Sequence, residues 1–254
     1  MPIPSVLFAL VLAAQLLATD LAPTGTLRAT FIGNNPVQGR VDEQTGVASG
    51  PAPDLVRELA RRLGVPHLVT SLPSAGAVLD SVRTGQADIG FLAYQAARAE
   101  LVDYSDPYLL SGSAYAVLAD SSIRSSADVD RAGVTVGAVT GQSQAAWVGE
   151  NIRSARIHAL PAVPPNAALA ALLLDGTVDA FALNRTRMAA LAADFPAVRV
   201  LDDNFLVTSQ AIVVAQGETE RLDALNPFLA EVRASGFVQV SIDRAEIPGV
   251  EVAP

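Results

Sequence analysis

The chain has 254 residues, half of them apolar, a net charge of −9 and no cysteine. That length accommodates one large domain or two lobes, and the negative charge argues against a nucleic-acid or anionic-membrane binder, which presents a basic face. The lack of cysteine excludes disulfides, thiolate metal sites and cysteine nucleophiles, and the two histidines, His67 and His158, stand far apart and read as structural.

Ser5–Ala18 (SVLFALVLAAQLLA) is an apolar run too short to span a bilayer and suited to the core of an export signal, with small residues near Ala18 and Ala22 for cleavage. No Lys or Arg precedes it, so an N-terminal helix packed on the protein is the alternative. Leu27–Ile32 reads as a first strand, closed by the polar turn Gly33-Asn34-Asn35-Pro36. Asn34 and Asn35 are either turn formers or donors and acceptors for a polar ligand. Val41–Gly50 reads as a solvated hairpin or loop. Pro53–Gly64 is a helix with Leu55, Val56, Leu59, Ala60 and Leu63 on one face and Gly64 closing it. His67–Thr70 is the second strand, and Ala77–Val82 a second helix ending at Gly85.

The run from Ala87 to Tyr108, ADIGFLAYQAARAELVDYSDPY, is the most informative stretch. A Gly-x-x-Asp lead-in, Gly85 to Asp88, opens a short apolar strand, Ile89–Ala93, of the kind buried in a parallel sheet. Tyr94, Gln95 and Arg98 follow at once, at the carboxyl end of the strand, where open α/β sheets bind ligands. A guanidinium there offers a planar fork for a carboxylate; the competing reading pairs Arg98 with Glu100 or Asp103 on the surface.

Beyond it, Ser111–Ala119 is extended and Ser121–Val129 polar, with a capped turn. Val134–Val139 is a buried strand, after which Thr140-Gly141-Gln142-Ser143 opens a helix through Val148. Backbone N–H groups at that helix start, with the Ser143 hydroxyl, suit an anion; simple N-capping by Ser143 is the alternative. Asn166–Leu174 is a helix capped by Asn166. Gly176 and Asp179 then repeat the spacing of Gly85 and Asp88 before an apolar strand, with Asn184, Arg185 and Arg187 at its end. Arg199–Leu201 is a short edge strand, Phe205–Gln216 a return crossing, Thr219–Ser235 an amphipathic final helix, and Val250–Pro254 a loose tail. Strand and helix alternate in two similar halves, which predicts parallel sheets.

The series Gly85, Asp88, Arg98, Val102, Asp103, Tyr104, Ser105, Asp106, Pro107 and Tyr108 resembles the extracellular solute-binding proteins of family 3, which include the polar amino-acid receptors of ABC importers. The resemblance runs from about Leu27 to about Phe237. It implies an α/β, two-lobed, periplasmic-binding-protein-like fold of type II, each lobe a mostly parallel sheet flanked by helices, with a cleft between them and hinge closure on the ligand. Residues 1–22 would be an export signal or N-terminal segment, 23–112 the first part of lobe 1, 113–205 lobe 2, and 206–254 the return crossing and completion of lobe 1. Arg98 would hold a ligand carboxylate, Gln142 and Ser143 would add donors from the other lobe, and the Asn34–Asn35 loop would line the cleft.

Three departures from the family pattern bear on the ligand. Asn184 stands where such receptors carry an aspartate for the α-ammonium, and a buried ammonium without a counter-charge is costly. Ala93 and Gln95, flanking Tyr94, replace hydroxyl residues, and no aromatic platform stands near Pro73–Ser74. The ligand expected is therefore a small carboxylate-bearing solute, an amino acid or a less basic relative. The partners expected are that small molecule and a membrane permease; no cofactor, metal or nucleic acid is called for, and the chain is expected to be an exported, monomeric binder without catalytic residues. The alternatives are a cyclohexadienyl (prephenate or arogenate) dehydratase on the same fold, for which no general acid is placed, and a sensor module presenting ligand to a membrane receptor. A hydrolase built on Ser143 and His158 lacks the last glycine of a nucleophile elbow.

Overall fold

The structure, a computed structural model, describes residues 20–33 and 35–254; the apolar run 5–18 and Asn34 lie outside the described residues. The chain divides into two compact units. Unit 1 comprises residues up to Leu109, Gln210–Glu246 and Val252–Pro254; unit 2 comprises Leu110–Ser209 and Ile247–Glu251.

In unit 1, β1 (Leu27–Ile32) lies parallel to β4 (His67–Leu72) on one side and to β5 (Ile89–Ala93) on the other. The strand β11 (Leu206–Ala215) closes the order β4-β1-β5-β11 by running antiparallel to β5 through Gln210–Val213. A small hairpin, β2 (Arg40–Val41) with β3 (Ala48–Ser49), leads into α1 (Pro51–Leu63). Proline serves at the start of α1 because the first helical N–H has no intrahelical partner to lose. Next, α2 (Ala75–Arg83) is capped by Ser74, whose hydroxyl accepts the Ala77 N–H. Its inward residues Val78 and Val82 pack with Ile32, Leu92, Val102 and Val213. Unit 1 also holds α3 (Ala96–Ala99), α7 (Thr219–Ala234) and α8 (Phe237–Ala245).

Unit 2 repeats the arrangement. Here β7 (Thr135–Val139) is parallel to β8 (Arg156–Leu160) and to β9 (Ala180–Asn184), while β6 (Val102–Leu118) runs antiparallel to β9 through Ser113–Val117, giving β6-β9-β7-β8. A short β10 (Val198–Val200) pairs with β6. Side chains alternate across a strand, and β9 shows it: Ala180 and Ala182 pack with Tyr115, Val136 and Val148 on one face, Phe181 and Leu183 with Leu169, Leu173, Met188 and Leu191 on the other. The second face is supplied by α5 (Asn166–Leu174) and α6 (Arg185–Asp194); Val148 belongs to α4 (Ser143–Asn151).

The alternating halves expected from the sequence are present, and the sheets are mostly parallel. Four details differ. The strand β8 and helices α6 and α8 were not expected. Residues 250–254 are not a loose tail: β12 (Val250–Val252) pairs with β6, and Ala253 is buried. Asn166 is not a cap; Pro165 holds that position and the Asn166 amide donates to Asp194. Ser143 is the first helical residue of α4, after Gln142 in the cap position, so it is not the N-cap either.

Candidate functional site

The carboxyl end of β5 in unit 1 carries the first group of expected site residues. The strand stops at Ala93, Tyr94 stands exposed, and Gln95, in extended conformation, precedes the single turn of α3. Arg98 falls within that turn and is 9% exposed. Its Nη1 donates to the Ala93 carbonyl at 3.0 Å, and the Tyr104 hydroxyl donates to the same oxygen at 3.1 Å. Tyr94 stacks edge-on against Tyr104, with ring centroids 5.2 Å apart. Burial pulls the Arg98 pKa down, partly offset by Tyr104, while burial raises the Tyr104 phenol and the Arg98 charge pulls it back. A guanidinium starts so far above neutrality that it stays charged. The site is thus a fixed cation, largely removed from water and oriented by a strand-end carbonyl and a phenol. In such surroundings a charge-assisted hydrogen bond to a carboxylate is strong.

The loop after β1 lies in the same unit. The Asn35 side chain accepts the Val37 N–H at 3.2 Å, and its carbonyl accepts from Gln38 and Gly39, so Asn35 builds the turn. Gln38, fully buried, braces that turn by accepting the Ile32 N–H at 2.9 Å and donating to Gln210 at 3.3 Å. Sequence reading passed over Gln38, which is separated from Gln210 by most of the chain.

In unit 2 the remaining residues gather at the carboxyl ends of the neighbouring strands β7 and β9. Gly141, at φ +80°, turns the chain in the left-handed region that favours glycine. Gln142 and Ser143 follow, both half-buried, and open the nine-residue α4. Asn184 ends β9 and caps α6, its side-chain oxygen accepting the Arg187 N–H at 2.8 Å. Arg185 is committed to structure: its guanidinium donates to Asn204 and to the Leu201 and Asp202 carbonyls. Arg187 donates to the Pro164 carbonyl at 3.1 Å, and burial lowers its pKa. His158 is registered with Gly137 in mid-strand, away from the strand end that carries Ser143. Among the described residues no group of three His, Asp or Glu could hold a metal ion, and no helix is long and apolar enough to cross a membrane.

Two parallel-sheet units with polar residues collected at the carboxyl ends of their strands define an α/β protein of the type II periplasmic-binding-protein class. By sequence, residues 28–244 match the model of the bacterial extracellular solute-binding proteins, family 3, and the chain belongs to that family. No curated protein matches it. Among solved structures it resembles a mutant of ArgBP from T. maritima, with 24% identity and a TM-score of 0.73, covering 91% of this chain and 99% of that one. It also resembles the amino acid ABC transporter substrate-binding protein AbpA from Streptococcus pneumoniae bound to L-arginine, with 22% identity and a TM-score of 0.74, covering 89% and 96%. A third, the ancestral amino acid-binding protein AncCDT-1, described as a precursor of cyclohexadienyl dehydratase, has 24% identity and a TM-score of 0.73, covering 90% and 98%. At these identities the likeness speaks for the fold.

Proposed function

We propose that the chain is the exported substrate-binding component of an ABC-type importer, which captures a small carboxylate-bearing solute by hinge closure and hands it to a membrane permease. The observation that carries this reading is the Arg98 guanidinium, nearly buried at the carboxyl end of β5 and held by the Ala93 carbonyl. Family membership supports a binding role rather than catalysis, and solved relatives such as AbpA are substrate-binding proteins of amino acid ABC transporters. In this reading Arg98 takes the carboxylate, Tyr94 and Gln95 flank it, and Gln142 and Ser143 contribute donors from unit 2. Asn184 is neutral and its oxygen already serves the Arg187 N–H, so the ligand is an acid, an amide or a weakly basic amino acid rather than a strongly basic one. Asn35 and Ala93 contribute shape and backbone polarity, and Asn34 lies outside the described residues.

Calorimetric titration of the purified chain with a panel of amino acids and organic acids tests this. A carboxylate solute should bind, and Arg98→Ala should cost about 2–5 kcal/mol of its binding free energy, the range for breaking a buried, hydrogen-bonded charge contact. An unchanged melting curve would show that the variant folds. Sub-micromolar binding of lysine, arginine or histidine would overturn the ligand class, and undiminished carboxylate binding by Arg98→Ala would overturn the assigned role. An assay of prephenate turnover, expected to show none, separates this reading from the dehydratase one.

A further inference from the structure

A second polar hollow lies in unit 1, where the hairpin β2–β3 and the start of α1 meet the end of α8. It is a cavity of about 280 Å³ walled by Arg40, Arg57 and Arg244 together with Asp54, Ser241 and Glu246. None of these residues belongs to the group around Arg98. Asp54 is 7% exposed and fully engaged. One carboxylate oxygen accepts from Arg57; the other accepts from the Ser241 hydroxyl and, at 3.2 Å, from Arg244. Arg57 also donates to the Ala48 carbonyl at 3.0 Å, and Arg40 to the Ala245 carbonyl at 2.6 Å. Each guanidinium carries five N–H donors, and these bonds use one or two of each. The wall therefore has donors to spare beyond the three bonds that hold its buried carboxylate. An adjoining hollow of about 210 Å³ shares Asp54, Arg57 and Arg244 and adds Arg61 with its ion-pair partner Glu58, so it brings no further net charge and the three guanidiniums of the first hollow carry the attraction.

The chemistry that matches such a wall is a guest offering lone pairs and negative charge. The geometry points to an accessory oxyanion site of unit 1, taking a phosphate or carboxylate group between Arg40, Arg57 and Arg244. Asp54 holds two of the three guanidiniums in place, and the volume, small for a ligand pocket, sets the size of guest. Glu246 opposes the guest. It is the one non-glycine residue at positive φ among the described residues, at +51°, and its carboxylate sets an upper limit on affinity through like-charge repulsion.

Inorganic phosphate is the probe, titrated into the full chain at constant ionic strength and followed by the arginine Nε–H signals in an NMR spectrum. Chloride at matched ionic strength is the control. Saturable shifts are expected at Arg40, Arg57 and Arg244. Arg40→Ala, which lies outside the Asp54 network, should weaken phosphate by about tenfold, and Glu246→Gln should tighten it. Arg98→Ala should leave this binding unchanged, which separates the site from the one proposed above. Non-saturating shifts, shifts reproduced by chloride, or equal affinity in Arg40→Ala and the parent chain would overturn the assignment.

Discussion

Asp88 in unit 1 and Asp179 in unit 2 stand at matching places, each three residues after a glycine at positive φ, Gly85 at +69° and Gly176 at +74°. Each fixes the start of its unit's central strand. Asp88 accepts the Arg28 N–H of β1 at 2.8 Å, and Asp179 accepts the Thr135 N–H of β7 at 2.7 Å. Their surroundings then diverge. Asp88 is buried, its two oxygens forked by the Arg28 guanidinium at 2.6 and 3.2 Å, and Arg221 bonds its carbonyl. Asp179 is exposed, with a threonine where unit 1 has an arginine. One motif thus serves as a buried ionic lock in one unit and a surface hydrogen bond in the other. Spacing fixes where the aspartate sits; the residue across the sheet decides what it is worth.

Replacing the two aspartates measures that difference directly. Asp88→Ala leaves a partly buried arginine without its partner and should cost about 3–5 kcal/mol in denaturant unfolding. Asp179→Ala loses one hydrogen bond that water can replace and should cost about 1 kcal/mol. Equal losses would mean that the Arg28 fork adds nothing. The reverse asymmetry is expected at the strand glycines. A Cβ at Gly137 in unit 2 would stand 2.4 Å from the buried ring of Phe181, whereas one at Gly90 in unit 1 would meet valine methyls at 2.9 Å. A ring wedged in a core yields less than a methyl, so Gly137→Ala should cost about 2–3 kcal/mol and Gly90→Ala about 1 kcal/mol, within the usual range for overpacking.

The repeat of Gly-x-x-Asp and the apolar strands after it were legible in the sequence because both rest on local rules. So was the place of Arg98, at a strand end, since strand length fixes where the chain emerges. What surrounds Arg98 was not: Tyr104 reaches the Ala93 carbonyl across a turn that no spacing rule reports. Arg185 looked equivalent to Arg187 until its three acceptors, Asn204, Leu201 and Asp202, were brought together by the fold. The helix α8 was missed for a different reason. Its sequence, FVQVSIDRA, alternates and is rich in β-branched residues, a strand signal, and tertiary packing of Val238 and Ile242 overrides it. The edge strand β8, RIHAL, alternates over only five residues, and its apolar Ile157 and Ala159 face solvent rather than a core.

The smallest expected effect concerns α1, whose charged cluster is unmatched on α4 of unit 2, where Glu150 is the one charged residue. Glu58 accepts from Arg61 at 2.8 Å and from Arg62 at 2.8 Å, and Arg62 also reaches Glu231 on α7. These guanidiniums, Arg61 first, hold the Glu58 carboxyl down at about 2, against 4.5 for the free group. Because the folded-state value is depressed, the contribution is complete above about pH 4.5 and drains away as the pH falls towards 2. Arg61 is 70% exposed and Arg62 33%, so solvent screens the cluster and its worth is about 1 kcal/mol or less. Glu58→Gln should therefore lower stability slightly at pH 7, and the parent chain and the variant should converge in acid. Added salt should shrink the gap at pH 7 in the same direction. A gap that persists at pH 2 and in high salt would place the role of Glu58 in packing rather than charge.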